Sequence, residues 1–359
     1  MIIPLLFCIV EFGNLATAKW LWSSSPADVS GIEKTAYPLG NGRMGLLPAG
    51  CSGSESINVN LDSLCTGGPL EISRYSGENP PEDRSHILPG IREEIFQNGT
   101  GNVSALFSPI SSYESYTPLA KLTVYIGGID DPSSYFRGLD LTTGVHKVSF
   151  LSGGNQFNVS IFCSRPDDVC VYHLASKSIM PNIHFSLQNE YLNKSLVETT
   201  CTEGQLQFNG QLAHPGMKFL GIAQALQPSS IMCDGNSLAL SSMSKSKTVT
   251  IVIRGGTSYE ISHGNQKFRF SFRGDDPEPS LKKTFAAVIF KSYEEILARH
   301  ITDYQRLFNT FSLDLPDSSN FSTITTADLI LTYDPSNGNS FLESLLVDYG
   351  RYLLVEFCW

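Results

Sequence analysis

Arg43, Asn60 and Asp62 are the polar side chains that their surroundings single out. They lie in two stretches rich in glycine and apolar residues, Ala36-Tyr-Pro-Leu-Gly-Asn-Gly-Arg-Met-Gly45 and Asn58-Val-Asn-Leu-Asp-Ser-Leu-Cys-Thr-Gly-Gly-Pro69. Polar groups in such company need hydrogen-bond partners. One arrangement is a loop whose bonds help shape a ligand pocket. The other is a set of bonds that pins turns or a domain interface. The residue types permit both. Gly40-Asn-Gly-Arg-Met-Gly45 also fits G-x-G-x-x-G formally, with Asp62 near the position of a ribose-binding carboxylate. Pro38 interrupts the strand that should precede such a loop, and Pro48 and Gly50 fall where its helix must run, so the dinucleotide reading fails. The glycines instead allow tight turning and close backbone approach.

Carboxylate doublets are the other candidates for acid–base work: Asp130-Asp131, Asp167-Asp168, Glu93-Glu94, Asp275-Asp276 and Glu294-Glu295. Cleaving a glycosidic bond by direct attack of water needs two carboxyl groups about 6.5–9.5 Å apart across a cleft. Neighbours in a strand or turn point in different directions. These doublets are therefore expected to be turn formers or solvated charges. The sequence holds no G-x-S-x-G or H-E-x-x-H motif. It has no C-x-x-C and its histidines are scattered, so neither a metal nor a cofactor is expected.

The elements that must position these groups change in texture along the chain. From Trp20 to about Ile289, short alternating or apolar runs are separated by Gly, Asn, Asp and Pro. Lys121–Ile126, Val145–Phe150, Asp168–Leu174, Gln205–Phe208, Ser237–Leu240 and Lys247–Ile253 read as strands, which predicts stacked antiparallel sheets. One short helix is predicted around Gly90–Phe96. Ser292 and Glu295 then form a capping arrangement for a helix to Phe308, with Ile296, His300, Tyr304 and Phe308 on one face. A break at Pro316–Asn320, a second helix over Thr326–Tyr333 and a stop at Pro335–Asn339 follow. The last helix, Ser340–Leu354, carries a broad stripe of Phe341, Leu342, Leu345, Leu346, Tyr349, Tyr352 and Leu353. Such a stripe needs a partner layer. It is met either by further chain or by docking back on the β-domain.

Charge narrows the partners. A net charge of −10 over 359 residues argues against nucleic acid and against an anionic membrane. No segment reaches the ~20 apolar residues of a membrane span. Charged residues are sparse at 17%, while Ser, Thr, Asn and Gly are common, the palette of a folded, β-rich, secreted protein. Ile2–Val10 followed by Ala16-Thr-Ala18 reads as a secretory signal over residues 1–18, with an extracellular product starting at Lys19. Sequons at Asn98, Asn102, Asn158, Asn193 and Asn320 agree with export. Among the cysteines, Cys163 and Cys170 face each other if Ser164–Val169 forms a tight hairpin with Pro166-Asp167 at its tip. That register makes them a hydrogen-bonded pair about 5.5 Å apart between Cα atoms. A bridge and two buried thiols are both open.

The two opening stretches resemble the entry signature of the family-95 glycoside hydrolases, the inverting α-L-fucosidases, and most of all the fungal members. Collinear matches follow at Leu88–Arg92, Gly99–Leu106, Tyr135–Gly144, Phe162–Leu174, Phe272–Pro277, His300–Phe308, Ser312–Pro316 and Phe341–Leu354. The resemblance implies a mainly β protein: an antiparallel β-super-sandwich, a helical linker, then an (α/α)6 barrel. The expected units are a signal over 1–18, the β-sandwich domain over 19–290, the linker over 291–338 and the first barrel helix over 339–359. It also implies hydrolysis of terminal α-linked L-fucose from a fucosylated glycan, without a metal. The general acid and the asparagine-aided base of the family belong to barrel segments beyond Leu354. The chain reads Val355-Glu-Phe-Cys-Trp359 there, so an incomplete form is expected, with no catalytic residue assigned and no activity alone. Arg43, Asn60 and Asp62 become candidates for a sugar-pocket wall or a domain interface. Two departures are Cys65, where the family usually has tryptophan, and Ala120-Lys121 in place of Gly-Asp or Gly-Asn. The alternatives are a non-catalytic carbohydrate-binding or structural β-sandwich, and another glycosidase specificity such as galactosidase.

Overall fold

Alternation of apolar and polar side chains builds two antiparallel sheets that share one core. The structure, a computed structural model, describes residues 19–65, 82–106, 116–189, 192, 196–212, 216–226, 231–313, 315 and 320–357. Its strands begin with β1 (Trp20–Ser23), β2 (Leu39–Gly40), β3 (Met44–Pro48), β4 (Ser54–Leu61) and β5 (Ala120–Ile126). They continue with β6 (Ser133–Asp140), β7 (Val145–Ser152), β8 (Asn155–Ser164), β9 (Val169–Ser176), β10 (Ile183–Gln188) and β11 (Val197–Thr202). The remainder are β12 (Gln205–Gln211), β13 (Lys218–Ala225), β14 (Ile231–Asp234), β15 (Ser237–Leu240) and β16 (Thr248–Thr257). The helices are α1 (Ile32–Thr35), α2 (Leu88–Asn98), α3 (Glu278–Val288), α4 (Tyr293–Phe308), α5 (Thr326–Leu331) and α6 (Ser340–Phe357).

Nine strands form one sheet in the order β1-β6-β7-β8-β9-β16-β13-β12-β11, and seven form the other in the order β14-β15-β10-β5-β4-β3-β2. Ile57, Val59 and Leu61 of β4 and Leu122, Val124 and Ile126 of β5 point inward to meet Phe150, Tyr172, Phe208 and Ile251 from the facing sheet. The alternate residues of the larger sheet, Phe162, Val171, Ile222 and Val252, face outward and are covered by Leu281, Phe285 and Val288 of α3 and Ile296 of α4. The molecule is thus helix on sheet on sheet, with period-two strands feeding two cores at once. Burying each such side chain contributes roughly 1.5–3 kcal/mol before the entropy of ordering is counted.

The expected strands all form, and α4 has the expected cap: Ser292 Oγ accepts from Glu295 N–H at 3.1 Å while the Glu295 carboxylate accepts from Ser292 N–H at 2.7 Å. One stretch read as strand territory is helical instead. α3 follows Pro277, and Leu281, Phe285 and Val288 recur at helical spacing along it. The predicted hairpin joins β8 to β9 with Ser164 opposite Val169 and Cys163 opposite Cys170, and the two cysteines are bridged. Their Cα atoms are 3.9 Å apart, so the pair has the narrow spacing and not the wider hydrogen-bonded one. A second bridge, Cys201–Cys233, joins β11 to β14 and thereby staples the edge of one sheet to the edge of the other. Among the described residues no helix is long and apolar enough to cross a membrane.

Candidate functional site

The signature turn and the last helix meet. Between β2 and β3 the chain reverses over Asn41-Gly-Arg43, with Gly42 in the left-handed region at φ 81°. Asn41 Oδ1 accepts from the N–H groups of Arg43 (3.1 Å) and Met44 (2.9 Å), which fixes the turn. Asp62 N–H donates to Arg43 carbonyl at 3.0 Å, and Arg43 Nη1 reaches the Asp62 carboxylate at 2.9 Å. Asn60 lies opposite Gly45 across β3 and β4. The three singled-out residues therefore come together at one end of the smaller sheet, with Arg43 74% exposed. Two amide atoms there are buried without a hydrogen-bond partner among the described residues, Asn41 Nδ2 and Asn60 Oδ1. Leaving such a group unsatisfied costs about 1–3 kcal/mol, so the turn carries unspent hydrogen-bonding capacity. Tyr116 borders the rim, its phenol raised by burial and by the nearby Asp62 carboxylate.

α6 is seated against this turn. Gly42 N–H donates to Glu356 carbonyl at 2.8 Å and Gly40 N–H to the Glu356 carboxylate at 3.3 Å. A Cβ on Gly40 would stand 2.8 Å from the Phe357 ring and 2.9 Å from Glu356 carbonyl, which is why glycine is needed. Tyr352 hydroxyl donates to Pro38 carbonyl at 2.6 Å. Lys19 Nζ reaches the buried Asp348 at 2.5 Å, tying the strand end before β1 to the same helix. Burial holds the Glu356 carboxyl well above the usual carboxylate range. Most of the apolar stripe of α6 is met by α4 together with the β-domain: Leu342, Leu345 and Tyr352 are buried, Tyr352 lies against Tyr304 of α4, and Leu345 and Tyr352 cluster with Tyr304 and Phe308 at the margin of the inter-sheet core. Leu346 is the exception at 47% exposure, and with Leu354 at 62% it marks a second, open face.

Residues 21–262 match the profile described as Glycosyl hydrolase family 65, N-terminal domain, and residues 292–356 match the Glycosyl hydrolase family 95 catalytic domain. Over most of its length the chain belongs to the family of the glycosyl hydrolase family 65 N-terminal domain, and its C-terminal helices are similar to the family-95 catalytic domain. It is 41% identical over 347 residues to Probable alpha-fucosidase A of Aspergillus niger, covering 95% of this chain and 43% of that protein. It is 35% identical over 353 residues to Probable alpha-fucosidase A of Aspergillus oryzae, covering 97% of this chain and 48% of that protein. The chain therefore spans about half the length of the curated relatives it matches. A solved structure from the human microbiome covers 94% of this chain, which covers 42% of it, at TM-score 0.51 and 11% identity, a likeness of fold alone.

Within this glycosyl hydrolase chain the carboxylate doublets have structural employment. Asp167 is buried, where it accepts from Ser164, Lys291 and Arg299 and so locks the β8–β9 hairpin to α4. It is a turn residue as expected, but a buried anchor and not a solvated charge. Asp168 pairs with Arg254, Asp276 with Lys218, and Glu295 caps α4. Asp130, Asp131, Glu93 and Glu94 are exposed. Among the sequon asparagines, Asn98, Asn102 and Asn320 are exposed, and Asn158 is half-buried in β8. Asn193, the signal segment 1–18, Cys358 and the end of the second signature stretch, 66–69, lie outside the described residues. Sequence reasoning missed the role of Asn41; its signal was an asparagine between two glycines ahead of Arg43. It also missed Cys201–Cys233, for which strands on two different sheets leave no local trace.

Proposed function

We propose that the protein to which this chain belongs hydrolyses terminal α-linked L-fucose from a fucosylated glycan, with inversion and without a metal. The observation that carries this reading is the seating of α6, part of the family-95 match, on the signature turn of the first domain. In that arrangement Arg43, Asn60 and Asp62 stand where the first domain meets the catalytic one. Their roles would be to hold that junction and to lend hydrogen bonds to a sugar hydroxyl, not to transfer protons. The named activity of the Aspergillus relatives supports the substrate class. Inverting hydrolysis needs an acid and a base carboxyl on opposite sides of the bond. The carboxylate doublets of this chain are occupied in turns, ion pairs and caps or lie exposed, so this chain by itself is expected to be inactive. Export is part of the same proposal: Ile2–Val10 and Ala16-Thr-Ala18 support a cleaved signal, and sequencing of the secreted product should begin at Lys19.

A chimera tests the reading. This chain replaces the matching portion of the Aspergillus niger relative, and proton NMR follows the sugar released from 2′-fucosyllactose. The expected result is fucose appearing first as the inverted anomer, and none from this chain alone. Release of galactose from an α-galactoside, with fucosides untouched, would overturn the specificity.

A further inference from the structure

The helices on the outer face of the nine-stranded sheet leave its far edge open. Beyond α3, strands β11, β12 and β13 frame a groove of about 460 Å³. Its floor follows from the alternation in Gln205-Leu-Gln-Phe-Asn-Gly-Gln211. Leu206 and Phe208 point into the inter-sheet core, so Gln205, Gln207, Asn209 and Gln211 take the opposite face. Glu198 of β11 stands directly across from Asn209, and Lys218 of β13 directly across from Gln211. One wall is closed by Lys218 and Asp276, which pair at 2.9 Å, while Asp276 also accepts from Glu278 N–H at the start of α3.

The polar groups divide into two sets. Gln205 donates to Gln224 at 2.9 Å and accepts from Gln207 at 2.5 Å, so that row is internally engaged. The side chains of Glu198, Asn209 and Gln211 make no hydrogen bond or ion pair to any described residue. A primary amide offers donors and an acceptor side by side, and a carboxylate offers acceptors only. A hydroxyl both donates and accepts, so a polyhydroxylated ligand can satisfy all three at once. Directly opposed cross-strand side chains have Cβ atoms about 4.5–5.5 Å apart, close enough for Glu198 and Asn209 to address neighbouring hydroxyls. The carboxylates of Glu198, Asp276 and Glu278 disfavour a phosphate or sulfate ligand. Phe219 is buried beneath the floor and Leu220, beside Asn209, is buried against α3, so Leu196 is the large apolar side chain exposed along the groove and the rest of its accessible lining is mainly polar.

We propose that this groove binds a neutral oligosaccharide without cleaving it, through Asn209, Gln211 and Glu198. The site lies on the larger sheet, apart from the Arg43–Asp62 rim on the smaller one, and its argument uses neither the fucosidase reading nor the family. The test is saturation-transfer NMR and calorimetry on the whole chain with maltohexaose and a fucose-free xyloglucan heptasaccharide, both neutral. The expected result is saturation transfer to at least one of them. It should weaken by about tenfold or more in N209A/Q211A, equivalent to about 1.4 kcal/mol. Asn209 and Gln211 lack side-chain partners, so the double variant should melt with the wild type. N209D, which keeps the shape and removes the amide donors, should weaken binding as well. No transfer to either sugar, transfer unchanged in both variants, or transfer to an extended peptide in place of the sugars would overturn the proposal.

Discussion

Two buried titratable side chains show how single residues set the chemistry of this core. Glu55 is buried in β4, and its Oε1 accepts from the N–H groups of Gly50 and Ser56, both at 3.0 Å. Burial pushes its carboxyl up to about 7 against the pull of those donors. A folded-state value above the unfolded one means that its contribution is full below about 4.5 and is lost as pH rises through about 7. Glutamine keeps the accepting oxygen and sheds the charge. E55Q is therefore expected to melt above wild type near pH 8 and level with it near pH 4, the gap widening by about 1.4 kcal/mol for each pH step across that window; a pH-independent difference would refute this. His146 poses the opposite problem. Both ring nitrogens are buried without a partner among the described residues, and burial pushes the imidazole down to about 3. Its folded value lies below the unfolded one, so the unfolded state takes the proton first and stability falls on acidification from about pH 6.5 toward 3. H146F removes the orphaned atoms, and a gain of about 1–2 kcal/mol in chemical denaturation is expected, larger at pH 5 than at pH 8. At this scale the sequence was informative where neighbours were local. The pairing of Arg43 with Asp62 joins residues already singled out, whereas the orphaned state of His146 depends on strands and loops packed from elsewhere.

Among the elements, the bridges and the seat of α6 make separable predictions. In the chain-entropy picture, the Cys201–Cys233 loop, with its sequence separation of 32, is worth about 3.7 kcal/mol and the short Cys163–Cys170 loop about 2.5 kcal/mol. C201S/C233S should therefore lower the urea midpoint more than C163S/C170S. An equal or reversed order would show that native-state packing, not loop closure, sets the difference. The glycines give a second contrast. Gly90 in α2 has open space around its missing Cβ, so G90A should raise stability by about 0.5–1 kcal/mol. Gly40 meets α6, so G40A should lower it by about 1–3 kcal/mol and speed hydrogen exchange along α6 while β7–β9 stay protected. The legibility of elements follows the same logic. The alternating strands and the Ser292–Glu295 cap declare themselves within a few residues. α3 was overlooked although Leu281, Phe285 and Val288 carry its period, because it follows a proline in a glycine-rich stretch. For the α6 stripe, docking back on the β-domain was one of two readings, and its seat could not be located, since it combines α4 with a glycine turn some 316 positions earlier in the chain.

For the whole molecule, the family and the architecture were legible because many motifs occur in one collinear order, which no single motif could establish. The sandwich, its outer helices and α6 form one connected packing around two cores. The chain alone should release no fucose from 2′-fucosyllactose while remaining folded by circular dichroism, and measurable release would refute the reading that its carboxylates serve structure and not catalysis. The contact of Lys19 with Asp348 spans 329 positions and has a further consequence for biosynthesis. At roughly 5–20 residues per second of synthesis, the first strand leaves the ribosome on the order of tens of seconds before its helical partner exists. During that interval the Gly40–Gly45 turn and the surface that will receive Tyr352 face solvent on a nascent chain. Synthesis rate and chaperone supply, more than equilibrium stability, would then decide how much of the product matures.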